Sequence, residues 1–94
     1  METSVRWDPE KARSNARKHG ITFDEGASVF RDSLSATIGD PMHSTWEDRF
    51  VTVGRSLQNR ILVVVHSEVG ESIRIISARL ATRNERRKYE EGAF

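Results

Sequence analysis

Residues 61–91, ILVVVHSEVGESIRIISARLATRNERRKYEE, decide how this chain folds. Ile61–Val65 is a continuous β-branched and aliphatic block, and Ser72–Ala78 is a second apolar stretch that contains Arg74. Ser67–Glu71 between them contains Gly70 and is short enough for a hairpin loop. A strand with apolar residues on both faces is covered on both sides or lies centrally in its sheet, so this pair belongs in the middle of the fold. Thr82 and Glu85 have the spacing of a capping box, which predicts that the strand pair hands directly to a helix over 82–91.

Side chains two apart in a strand share a face. Strict alternation puts Ser72, Arg74, Ile76 and Ala78 on one face of the second strand and Ile73, Ile75, Ser77 and Arg79 on the other. In the first strand Leu62, Val64 and His66 share a face. His66 then sits rigid yet exposed at a strand end, Arg74 inside the second strand and Arg79 at its exit. An arginine inside an apolar strand is costly to bury unpaired, so Arg74 has a carboxylate partner or faces an open, wet groove.

Upstream, Asp8-Pro9 opens a helix with an N-cap aspartate and a first-turn proline, and Gly20 closes it, giving a helix near 9–19. Thr22 and Glu25 are a second capping-box pair, and Phe23, Ala27 and Phe30 recur at helical spacing, giving a short helix near 22–30. Leu34–Ile38 and Phe50–Arg55 read as strands, separated by the Gly39-Asp40-Pro41 turn and a polar loop over 42–49. Val5-Arg6-Trp7 is a candidate short edge strand. The order is helix, helix, four strands, helix, which predicts an α+β domain with a mainly antiparallel, four-stranded sheet.

Ninety-four residues suit a single domain over 1–94. Hydrophobic residues are 36% and charged residues 31%, enough apolar surface for a globular core rather than a disordered chain. With no cysteine, disulfides and thiolate metal sites are excluded. No apolar run approaches the ~18 residues of a membrane span and no signal-peptide pattern opens the chain, so the cytoplasm is the expected compartment. The net charge of +1 hides an uneven distribution. Residues 6–19 carry five basic and two acidic residues, 20–50 two and six, and 75–91 five and three. Basic ends around an acidic middle suit a polyanion partner or an ordinary mixed surface.

His66 is the strongest general acid–base candidate, because imidazole titrates near neutrality, and Glu68 is placed to pair with it in an extended chain. A strand-end histidine bonded to backbone is the structural alternative. His43, Glu47 and Asp48 share a polar loop, but no pair has a firm metal-ligand spacing, and no phosphate-binding glycine loop is present, so no metal and no cofactor are expected. Arg74, Arg79 and Arg83 suit phosphate, because a guanidinium fork matches its geometry and keeps its charge. Salt bridging to Glu68, Glu71 or Glu85 is the structural alternative. Arg83, Arg86, Arg87 and Lys88 make the last helix basic, with Tyr89 its single large apolar residue.

Two stretches resemble a known family. The first is Asn15-Ala16-Arg17-Lys18-His19-Gly20 with Phe23-Asp24-Glu25-Gly26-Ala27. The second is Val63-Val64-Val65-His66, Arg74-Ile75-Ile76-Ser77-Ala78-Arg79, Ala81-Thr82 and Glu85-Arg86-Arg87-Lys88-Tyr89-Glu90. Together they are similar to the BrnT family, the toxin half of a bacterial type II toxin–antitoxin system. The resemblance implies a RelE-like fold, a ribonuclease that stops translation, an RNA substrate, and a BrnA-type ribbon-helix-helix antitoxin. Operator DNA would be met only through that antitoxin. His66, Arg74 and Arg79 match the motif and are the expected catalytic group of a metal-independent endoribonuclease, with Arg83, Arg86, Arg87 and Lys88 binding RNA. The competing class is a non-catalytic binding module whose basic helix docks an acidic partner.

Overall fold

The computed structural model describes residues 4–40 and 48–94. Its elements are β1 (Ser4–Arg6), α1 (Pro9–His19), α2 (Phe23–Ser28) followed by a 3₁₀ turn (Val29–Arg31), β2 (Ala36–Gly39), β3 (Arg49–Arg55), β4 (Ile61–Val69), β5 (Ser72–Leu80) and α3 (Arg83–Glu91). The α+β class and the three helices match the sequence reading. The sheet has five strands in the order β1-β5-β4-β3-β2. The fifth is the three-residue β1, which pairs parallel to β5 at one edge, while the other neighbours are antiparallel.

Local chemistry explains the helix ends. The Asp8 side chain accepts from the Glu10 amide at 2.9 Å, Pro9 stands in the first turn, and Gly20 takes φ 70, where a Cβ would be strained. At α3 the capping box is complete: Glu85 N–H donates to Thr82 Oγ1, and Thr82 N–H donates to Glu85 Oε1 at 2.8 Å. At α2 only half of it forms. Thr22 Oγ1 accepts from Glu25 N–H, but the Glu25 carboxylate turns inward to Ser56 and Arg60. Glu25 is 4% exposed, and the Arg60 guanidinium is the main cause that keeps its carboxyl below the usual range.

The β4–β5 hairpin is longer than its apolar blocks. β4 runs to Val69 and β5 restarts at Ser72, so Ser67 and Glu68 are strand residues rather than loop. Only Gly70 and Glu71 turn the chain, with Gly70 at φ 59.

The two faces of the sheet are covered unequally. On one, α1 and α2 close over Ile21, Phe23, Val29, Leu62, Val64, Ile75 and Ala78. Gly26 lets α2 approach closely, since a Cβ there would meet the Ala78 Cβ at 3.1 Å. Asn15 reaches from α1 to the β5 edge beyond β1, where its amide donates to the Ala78 and Ile21 carbonyls and its Oδ1 accepts from Ala78 N–H. On the other face α3 covers only one end, through Tyr89 packed on Val53, Ile61 and Val63. The Tyr89 hydroxyl donates to Asp32, tying α3 to the segment after α2. Among the described residues no helix is long and apolar enough to cross a membrane.

Candidate active site

A bulge in β5 sets out the site. Val65 pairs with Ser77 but His66 pairs with Ile75, so Ile76 is an extra residue and the alternation of β5 inverts at that point. The strict alternation read from sequence is therefore corrected. Ile73, Ile75, Ala78 and Leu80 follow the helix-covered face, and Ser72, Arg74, Ser77 and Arg79 follow the opposite one. Arg74 and Arg79 share a face. His66, in phase with Leu62 and Val64, lies on the other side of the sheet. The three residues expected to work together are divided two and one.

His66 is also not at an exposed strand end. It is 1% exposed, because the longer β4 carries it into the core between Phe30, at 4.9 Å edge-on, and Phe50, stacked at 5.9 Å. Its Nε2 lies 2.7 Å from Thr52 Oγ1, which lies 2.7 Å from Thr37 Oγ1 on the edge strand. Nδ1 is buried without a hydrogen-bond partner and is 3.5 Å from Glu68 Oε2. The carboxylate favours a proton on Nδ1; the Thr52 hydroxyl then donates to Nε2 and accepts from Thr37. Burial lowers the His66 pKa to about 4, so the ring is neutral at pH 7. His66 and Glu68 lie at an open cleft of about 780 Å³ whose lining includes Trp7, Asp24, Phe30, Arg31 and Thr37.

This burial has a measurable consequence. The unfolded histidine titrates near 6.5 and the folded one near 4, so between these values the unfolded state binds more protons. Stability is complete above about pH 6.5 and falls on acidification, by an amount on the order of 3 kcal/mol by pH 4. Urea unfolding at pH 7, 5.5 and 4 should show this decline, and His66→Gln should flatten it.

Arg79 is on the open face but is already engaged. Its Nη1 donates to Glu85 Oε1 at 2.8 Å and its Nη2 to Glu85 Oε2 at 3.0 Å. This fork lowers the Glu85 pKa to about 2 and, with the Thr82 bond, fixes the start of α3 against β5. Arg74 is exposed two register positions beyond Ser72. Arg83, Arg86, Arg87 and Lys88 are exposed on α3, with Arg87 donating to Asn84 at 2.8 Å.

Two arginines of the open face were not singled out from sequence. Arg49 faces Ser67 across β3–β4, and Arg6 faces Arg74 across β1–β5. Arg6 was hidden in a three-residue strand and Arg49 at a strand start, and a register is what places them beside Arg74. Among the described residues no three histidine, aspartate or glutamate side chains are grouped as a metal site would need. His43 and Glu47 lie outside the described residues.

Comparison with known proteins agrees with this architecture. The family model for the ribonuclease toxin BrnT of type II toxin–antitoxin systems matches residues 7–85, ending within α3. The crystal structure of the Brucella abortus ribonuclease toxin BrnT is similar at a TM-score of 0.66 and 27% sequence identity, over 86% of this chain and 99% of that one. Comparison with curated proteins gives no match.

Proposed function

Because the chain belongs to the BrnT family of ribonuclease toxins of type II toxin–antitoxin systems, we propose that it is an endoribonuclease that cuts RNA on the open face of its sheet. In this reading cleavage stops translation in the bacterial cytoplasm, and a BrnA-type ribbon-helix-helix antitoxin neutralises the toxin. The observation that carries the reading is the β5 bulge, which puts Arg74 and Arg79 on one face of the sheet, the face opposite α1 and α2.

RNA carries its own nucleophile, the 2′-hydroxyl, so the protein need supply no serine or cysteine. It must hold the strand in line and stabilise charge that builds on the phosphorus-bound oxygens. Arginine does both without changing protonation, since a guanidinium fork matches phosphate and donors fixed beforehand cost no reorganisation during reaction. Arg74 is the proposed charge-stabilising residue. Arg79 holds the adjoining wall through Glu85, and Arg83, Arg86, Arg87 and Lys88 attract the backbone. His66 is neutral, buried and on the opposite face, and we assign it the Thr37–Thr52 hydrogen-bond row rather than the proton transfer expected from sequence. No step in this scheme calls for a metal.

Induced expression in a bacterium tests the reading. Growth should slow and cellular RNA should shorten within minutes, and the purified protein should cut RNA equally with and without a chelator. Loss of activity on chelation would overturn metal independence. Binding of RNA or of an acidic protein without any cleavage would replace the enzyme by the binding module.

A further inference from the structure

We propose that the helix-side cleft is the docking groove for the antitoxin. Its occupant is a segment with one arginine or lysine among aliphatic side chains, and that cation sits on Glu68. The assignment rests on the toxin–antitoxin reading of the chain and adds where the partner binds: on the face opposite Arg74 and Arg79.

The floor of the cleft is drawn from four strands, with Val5 on β1, Ile73 on β5, His66 and Glu68 on β4 and Thr37 on β2. It therefore runs across the sheet from one edge strand to the other. Four interstrand spacings of about 4.8 Å make it about 19 Å long, the span of about six extended residues. Asp24, Phe30 and Arg31 wall it on the side of α2 and the 3₁₀ turn.

Two features of the groove call for a protein segment. The first is apolar surface that folding leaves uncovered: Leu57 is 73% exposed, beside the half-buried Trp7, Phe30 and Ile73. The second is charge. Glu68 Oε2 stands 3.5 Å from His66 Nδ1, on a ring that Thr52 and Thr37 hold in place. That ring is neutral at pH 7, so it leaves the negative charge of Glu68 uncancelled. Among the described residues neither Glu68 nor Asp24 forms an ion pair with lysine or arginine. Arg31 is the one cation among the described lining residues. Two carboxylates against one guanidinium repel phosphate and attract a cation, so a basic, apolar segment fits here and an RNA strand does not.

The test pairs the full-length toxin with its purified cognate antitoxin, in a binding titration over a range of salt and in cells expressing both. Glu68→Lys should weaken antitoxin binding roughly tenfold or more, and Glu68→Gln should weaken it less and reduce its salt dependence. Glu90→Lys makes the same charge change on exposed α3 and should bind as wild type. Free Glu68→Lys should cut RNA within a few-fold of wild type, and in cells it should escape neutralisation. Antitoxin variants selected to restore growth beside it should exchange an arginine or lysine for aspartate or glutamate. Should Glu68→Lys fail to fold, the isosteric Glu68→Gln decides by its affinity and salt dependence. Antitoxin binding within twofold of wild type in the folded Glu68 variants would overturn the groove. An equal loss in Glu90→Lys would also overturn it, by moving the interface to α3. Loss of RNA cleavage by a folded Glu68→Gln would do the same, by placing chemistry in the cleft. If wild type cuts no RNA and the Glu68 variants still lose the antitoxin, the enzyme reading falls and the groove stands.

Discussion

Asn15→Ala is expected to destabilise the protein by about 3–5 kcal/mol, because one substitution strands three buried backbone groups at a cost of about 1–3 kcal/mol each, less than additively. Asn15 is 7% exposed, and its amide occupies the place a further strand would take at the β5 edge. It accepts from Ala78 N–H at 3.1 Å and donates to the Ala78 carbonyl at 2.8 Å and the Ile21 carbonyl at 3.0 Å. With alanine there, the edge past Arg6 loses its cover, and water reaches it only by parting α1 from the core. A domain of this size has about 5–15 kcal/mol in total, so the variant should be unfolded in part at 37 °C. Asn15→Asp separates chemistry from size. It keeps the acceptor for Ala78 N–H but turns a negative oxygen toward two carbonyls, and it should be about as damaging as alanine at pH 7. Urea midpoints for the three proteins check this. A midpoint for either variant within error of wild type would show that the stitch is not needed.

The same asparagine shows what a sequence can and cannot disclose. Asn15 was visible as one residue of a signature stretch, but not the carbonyl 63 positions away that it serves. The helices were legible because their ends are written locally: Asp8-Pro9 with Gly20, and Thr82 with Glu85. Thr22 and Glu25 have the same spacing, yet a tertiary partner, Arg60, took the glutamate from its cap. The antiparallel core strands were legible in their β-branched runs. The parallel pairing of β1 was not, because three residues hold no period and their partner lies across the whole chain.

The site was half legible. Arg74 and Arg79 were singled out, but they were put on opposite faces because a uniform period of two was assumed. The mark of the bulge is in the residues themselves. Ser72 and Arg74 are two apart, Ser77 and Arg79 are two apart, and the step from Arg74 to Ser77 is three, with Ile75-Ile76 between. A polar set that skips one place in mid-strand is what an inserted residue leaves behind. His66 was misplaced for a related reason: Ser67-Glu68 is polar and was read as loop, though Ser67 faces the arginines and Glu68 the cleft. Once β4 includes both, His66 is interior.

Cleavage is expected to depend on the arginine face and not on the histidine. Arg74→Ala removes an exposed guanidinium from that face and is expected to lower RNA cleavage roughly 10²–10³-fold, the scale for losing one preorganised donor to a developing anion. Arg74 lies outside both apolar clusters, so the core should be retained. His66→Gln should lose stability but keep cleavage within a few-fold of wild type. The wild-type rate should show no histidine inflection between about pH 6 and 7, because the ring stays neutral down to about pH 4. The decisive measurement is the single-turnover cleavage rate of one labelled RNA by Arg74→Ala and His66→Gln, both verified as folded at the assay temperature. The account predicts an inactive arginine variant and an active histidine variant. An active Arg74→Ala beside a folded, inactive His66→Gln would contradict it and move the chemistry to the helix-side cleft.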